Sequence, residues 1–188
     1  SRFISNEYGS IFWAHNDSKP SGEAPNVIYA FNQDGQDLGR LILEPELSQR
    51  DWEDMAYDGT HLYIGEIGDN DRLYGTYYVH KCLEPDVNNP PTDNEISCTS
   101  IPFTYQKYNS EGEPTEGNVS YDAETLMVDT NGDVYIVTKE EQGSTTPSKV
   151  FKLNTDTSIA EQIINITSLP GLGPLNQITG GDISRDGS

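Results

Sequence analysis

The chain is short of positive charge. Lys and Arg number 11 among 188 residues against 31 Asp and Glu, giving a formal net charge of -20 and an isoelectric point near 4.2. Affinity for nucleic acid comes mostly from cations that neutralise phosphates, and attraction to anionic lipid works the same way. A surface of this sign repels both, so nucleic acid is excluded as a partner, and hard cations such as calcium are favoured. Long apolar runs are missing as well. No stretch reaches the roughly 18 apolar residues that a spanning helix needs, so membrane insertion by a helix is not expected, and no signal peptide opens the chain. Cysteine is scarce, with Cys82 and Cys98 the only two, and neither C-x-x-C nor C-x-x-C-H occurs. Zinc-ribbon, thioredoxin-like and c-type haem chemistry therefore have no support. An even pair with no further thiol predicts a Cys82–Cys98 disulfide and an oxidising, secreted or extracellular setting.

What is present points to a folded chain rather than an acidic tail. The 11 Tyr, 5 Phe and 2 Trp are spread along the sequence in short runs. Helical periodicity is nearly absent, whereas β-branched and aromatic runs bounded by Gly, Asp and Asn recur. Strands are predicted over 10–15, 27–32, 38–43, 55–57, 61–66, 76–81, 97–105, 125–128, 134–139, 149–153 and 159–166. Pro, Asn and Glu fill 84–95 and 108–117, which read as long surface loops.

A repeat emerges when the turn residues are used as rulers. Residues 53–65 and 123–137 each begin with acidic residues, run through a short apolar strand, turn at Asp58-Gly59 or Asn131-Gly132, and enter a strand that carries a tyrosine. An edge strand follows each. Segments 11–15 and 27–31 supply the later half of such a unit, and 181–187 supply the start of another. Four-stranded units joined by Asx-Gly hairpins are the blades of a β-propeller. The expectation is an all-β fold, a single β-propeller domain over 1–188 built of four-stranded antiparallel blades. About three blades are visible, the ring is incomplete in this chain, and both ends fall inside a blade.

Five ordered motifs sharpen this. They are Trp13-Ala14-His15-Asn16-Asp17-Ser18, Trp52-Glu53-Asp54-Met55-Ala56, Gly65-Glu66-Ile67-Gly68-Asp69-Asn70, Tyr121-Asp122-Ala123-Glu124-Thr125-Leu126 and Gly180-Gly181-Asp182-Ile183-Ser184. In this order they cover nearly the whole chain. The sequence resembles a family of secreted β-propellers of mostly unassigned function, distantly phytase-like or NHL-like, found in bacteria and some marine invertebrates. Its members carry W-E-D-I-A, G-D-I-G-D-N, D-A-E-A-L and D-I-S-x-D-G runs. The resemblance implies the propeller architecture. It leaves function open, because propellers host binding modules, phytases, lactonases and scaffolds alike. Glu66 departs from the family's usual Asp, and the loop carrying Cys82 and Cys98 is not a family hallmark.

The acidic residues Glu53, Asp54, Asp122, Glu124 and Asp182 stand just before the innermost strand of their units. In a propeller such positions line one mouth of the central channel, so Glu53 and Glu124 are expected to share a site there together with Asp182. No Lys or Arg occupies the equivalent position of any repeat, and carboxylates gathered without a counter-charge repel one another unless a cation binds. Calcium, which takes six to eight oxygens in loose geometry, suits such a mouth better than magnesium. Asp69 and Asn70 are further candidate ligands from the loop rim, although EF-hand spacing is absent. The stretch from Asp129 to Asp133 is explained by its Asn-Gly hairpin.

His15, Asn16 and Asp17 form a candidate binding rim. No serine stands in a triad context and no nucleophile elbow occurs. Asn16, Asn118 and Asn165 head N-x-S/T sequons, which a eukaryotic secretory pathway would read as glycosylation sites. These features predict a secreted calcium-binding module, structural or binding protein or glycan partners at its loop face, rather than an enzyme. A metal-dependent phosphate or ester hydrolase using the same carboxylates is the first alternative. Few basic residues stand near the motifs to hold an anionic substrate, chiefly Arg50, Arg72 and Lys139. A self-assembling subunit of an extracellular assembly or filament is the second.

Overall fold

A computed structural model of the chain describes residues 5–6, 9–17, 26–43, 47, 49–86, 88, 95–140, 147–166 and 177–184. These contain fourteen strands and no helix. In chain order the strands are β1 (Ser5–Asn6), β2 (Gly9–His15), β3 (Val27–Asn32), β4 (Asp37–Leu43), β5 (Trp52–Tyr57), β6 (His61–Glu66) and β7 (Tyr77–Leu83). Then come β8 (Glu95–Ile96), β9 (Cys98–Tyr108), β10 (Pro114–Val119), β11 (Ala123–Val128), β12 (Val134–Thr138), β13 (Ser148–Asn154) and β14 (Ile159–Ile166). One sheet runs β1-β2-β3-β4-β8. The other runs β11-β12-β13-β14-β9-β7-β6-β5, with β10 added to β9. The all-β expectation holds. The larger sheet contains two four-stranded antiparallel runs, β5-β6-β7-β9 and β11-β12-β13-β14. A parallel ladder of only two residue pairs, Ile159 to Thr104 and Ala160 to Tyr105, joins them into one sheet.

Three hairpins are closed by one device. Asn32, Asn109 and Asp129 each accept, through Oδ1, the N–H groups two and four residues onward at 2.8 to 3.0 Å. The third residue onward is glycine in each, with φ of 76° at Gly35 and 84° at Gly112 and Gly132. A side chain resists that left-handed conformation, while the Asx oxygen satisfies donors the turn would leave bare. Composition predicts a long surface loop over 108–117. Instead it is a hairpin whose return strand, β10, begins at Pro114. That strand is mostly exposed and polar, so no alternation marks it, and proline is tolerated at the first position of an edge strand.

Side-chain alternation sends the two faces of β6, β7 and β9 into different cores. Tyr63, Tyr77, Val79, Phe103 and Tyr105 pack with Leu126, Ile136 and Phe151 of the later strands. Leu62, Ile64 and Cys82 pack with Trp13, Ile28 and Leu43 of the first sheet, and Trp52 at the head of β5 joins them. The β5–β9 run is thus the middle layer. The Cys82–Cys98 disulfide is formed, between directly opposed residues of β7 and β9. No helix among the described residues is long and apolar enough to cross a membrane.

Candidate functional site

Equivalent β-bulges open β5 and β11. Trp52 pairs with Glu66 and Asp54 with Gly65, which leaves Glu53 as the extra residue on β5. Ala123 pairs with Thr138 and Thr125 with Val137, which leaves Glu124 as the extra residue on β11. A bulge turns its extra side chain out of the regular alternation. Glu53, Asp54 and Glu124 therefore lie inside strands rather than ahead of them, a correction to the sequence reading. The register of the two glutamates nevertheless corresponds.

The surrounding backbone repeats too. Gly68 N–H bonds Asp51 C=O at 3.3 Å in one hairpin, and Lys139 N–H bonds Asp122 C=O at 2.9 Å in the other. At the joins between units, Trp52 N–H bonds Asp17 C=O at 2.5 Å and Ala123 N–H bonds Ile67 C=O at 3.2 Å. Gly68 leaves room that the site fills. A methyl group on its Cα would lie 2.4 Å from Glu53 Oε1 and 2.5 Å from Asp51 Oδ2, so the two carboxylates converge where any other residue would place a side chain.

These charges act on one another. Burial, then the carboxylates of Asp51, Glu124 and Asp122, push Glu53 up to about 8. Burial, then Asp122, Asp17 and Glu124, push Asp51 up as well. Lys139 opposes both, and its ammonium is ion-paired with Glu124, a bond that raises the lysine's own pKa. No Lys or Arg stands at the position equivalent to Glu53 or Glu124, but Lys139, just past β12, reaches Glu124 and supplies a counter-charge beside the acidic cluster. Among the described residues, no three His, Cys, Asp or Glu side chains are arranged to hold one metal ion together.

The other expected residues divide between this cluster and the scaffold. Asp122 is buried and its Oδ1 accepts the Asp69 N–H at 2.9 Å. Asp69 is 1% exposed and accepts from Leu73 N–H, Tyr74 N–H and the Tyr77 hydroxyl, so it orders its own loop. Asn70 is exposed beside it. Asp54 accepts from Leu126 N–H at 2.9 Å and Met55 N–H at 2.8 Å, tying β5 to β11. Asp182 is exposed and lies in the same cavity wall as Asp54.

His15 packs edge-on against Trp52, its Nδ1 stands 3.0 Å from Asn16 C=O, and burial lowers its pKa. Asn16 and Asp17 are exposed, and Asp17 contributes to the field at Asp51. Asn118 and Asn165 are exposed on β10 and β14. Ser18 and residues 185–187, which complete two motifs, lie outside the described residues.

Sequence reasoning missed Asp51, whose only signal is that it precedes Trp52 as Asp122 precedes Ala123. It also missed a chain of polar groups on the middle layer. The Ser100 hydroxyl meets His80 Nδ1 at 2.9 Å, His80 Nε2 stands 3.6 Å from Glu66 Oε2, and Arg50 bonds Glu66 Oε1 at 2.6 Å. The basic residues near the mouth are committed. Arg50 holds Glu66, Lys139 holds Glu124, and Arg72 and Lys149 both hold Glu140. No protein-family profile, characterised protein or solved structure matches this chain.

Proposed function

We propose that the chain is part of a secreted β-propeller that binds calcium at the mouth formed by Asp51, Glu53, Asp122 and Glu124. In this reading it acts as a binding or structural module, with a protein or glycan partner at the adjoining loops. The observation that carries the cation reading is the convergence of Asp51 and Glu53 on Gly68, next to the equivalent glutamate of the following unit. Two carboxylates turned toward one gap cost free energy until a cation enters, and calcium tolerates the loose, mixed ligand sets such a gap offers. Lys139 is ion-paired with Glu124, so an entering ion competes with its ammonium.

The repeated bulge and the repeated backbone joins support the propeller, because both recur from one unit to the next, as rotation about an axis requires. The motif resemblance agrees with it. The disulfide supports a secreted setting. The pairing of Arg50, Arg72, Lys139 and Lys149 with glutamates favours binding over hydrolysis of anionic esters, which needs cations left over for the substrate.

Thermal unfolding in EGTA and in millimolar calcium tests the proposal. Calcium at about a hundred times its Kd adds about 2.7 kcal/mol to the native state, equivalent to a rise of about 5–10 °C in a chain of this size. Lys139→Met should enlarge the shift and Glu124→Gln should shrink it, while Glu111→Gln, on an exposed hairpin, should leave it unchanged. A midpoint indifferent to calcium, or a shift the same in all three variants, overturns the site.

A further inference from the structure

A second acidic feature lies past the bulge. A cavity of about 590 Å³ opens between β5, the end of β11 and residues 181–184, within the roughly 300–1,000 Å³ typical of small-molecule sites. The half-buried Met55, Tyr57 and Ile183 and the edge of Val128 contribute apolar surface. Every charged residue in the lining is an aspartate: Asp54, Asp58, Asp129 and Asp182.

Three of these are held by the fold. Asp54 serves the N–H groups of Met55 and Leu126. Asp58 serves Thr60 N–H, His61 N–H and the Tyr63 hydroxyl, and its Oδ2 stands 3.3 Å from His61 Nδ1 and 3.9 Å from Lys81 Nζ, so part of its charge is offset. Asp129 serves Asn131 N–H, Asp133 N–H and the Tyr135 hydroxyl. Burial works against ionisation at Asp58 and Asp129, but these donated bonds outweigh it and keep both pKa values low. Asp182 is different. It is exposed, and among the described residues it accepts only from Ile183 N–H, through Oδ1. The cavity therefore combines an apolar wall, a fixed negative field and one carboxylate with acceptor capacity to spare.

We propose that this cavity binds a small organic cation, a primary ammonium on an apolar stem, with the stem on Met55, Ile183 and the edge of Val128 and the ammonium on Asp182. An anion is repelled by the four aspartates, a neutral apolar molecule leaves their field unanswered, and a bare inorganic ion makes no use of the apolar wall. The proposal is independent of calcium at the mouth.

The test is a titration in EGTA at about 0.15 M salt, where long-range attraction to the net charge is screened beyond about 8 Å. The probes are n-hexylammonium, n-hexanol, hexanoate and methylammonium, followed by calorimetry and by amide chemical shifts. Hexylammonium should bind about tenfold more tightly than hexanol or methylammonium, and hexanoate should not bind. Asp182→Asn and Met55→Ala should each weaken hexylammonium about fivefold or more, and Glu111→Gln should not. Equal binding of methylammonium and hexylammonium would reduce the effect to an ion atmosphere, and equal binding of hexanol would reduce it to greasy contact. Either result, or indifference to Asp182→Asn, overturns the proposal. Because metal is chelated throughout, failure here leaves the calcium reading standing, and failure of calcium leaves this one.

Discussion

Glu53→Gln removes a charge that the metal-free fold resists. With a pKa near 8 in place of 4.5, the folded state holds the Glu53 proton more tightly than the unfolded chain does. Stability from this group is therefore complete below pH 4.5 and is lost as the pH climbs through 8. At about 1.36 kcal/mol per pH unit the span is about 4–5 kcal/mol at face value. Glu53 is only half-buried, and solvent screening reduces this to about 2 kcal/mol. Glutamine carries no charge at any pH. The variant should thus gain on the native chain by about 2 kcal/mol between pH 4.5 and pH 9, or about 4–8 °C in midpoint. Urea unfolding in EGTA at several pH values reads this difference directly, because every other titrating group is common to both proteins. In millimolar calcium the order should reverse at pH 9, since the ion stabilises only the native carboxylate. A variant whose advantage is flat across the pH range would refute the reasoning, for it would mean that Glu53 is an ordinary solvated acid.

Two further outcomes follow from the scaffold. Asp69→Ala strands two loop N–H groups and the Tyr77 hydroxyl, and should cost about 3 kcal/mol in chemical denaturation with faster proteolysis across 70–75; a loss under about 1 kcal/mol would show that solvent replaces those bonds. Cys82 and Cys98 should resist alkylation until reduced, and reduction should lower stability by about 3 kcal/mol for their sequence separation of 16, whereas two reactive thiols in the untreated protein would contradict the pairing.

Much of this architecture is legible from local signals. The strands at 27–32, 61–66 and 159–166 have the predicted bounds, because the β-branched and aromatic runs within them and the turn residues beside them point the same way. The correspondence of Glu53 with Glu124 follows from counting back five residues from Asp58 and Asp129, where the two turns begin, and the matched bulges give it a structural basis. Other features depend on register between distant strands. His80 meets Ser100 only because β7 and β9 pair across a long connection, and nothing local to either residue encodes that. Asp69 reads as a ligand in its Gly-Asp-Asn run, yet a tyrosine eight residues later draws it inward. Lys139 is visible beside its motif, but its pairing with Glu124 requires β11 and β12 to be laid side by side.

The joins between successive units have a consequence for how such a chain can change over evolutionary time. Trp52 to Asp17 and Ala123 to Ile67 are both main chain to main chain, and the residues donating them differ as much as two buried side chains can. These two main-chain bonds impose no residue identity on their partners, whereas the bonds from Leu126 N–H to Asp54 and from Asp69 N–H to Asp122 require a carboxylate. A duplicated unit can therefore be accepted beside any neighbour that keeps its bulge and these carboxylates, and its other side chains can then drift. Under such drift the backbone geometry would still require the turn glycines and the bulge.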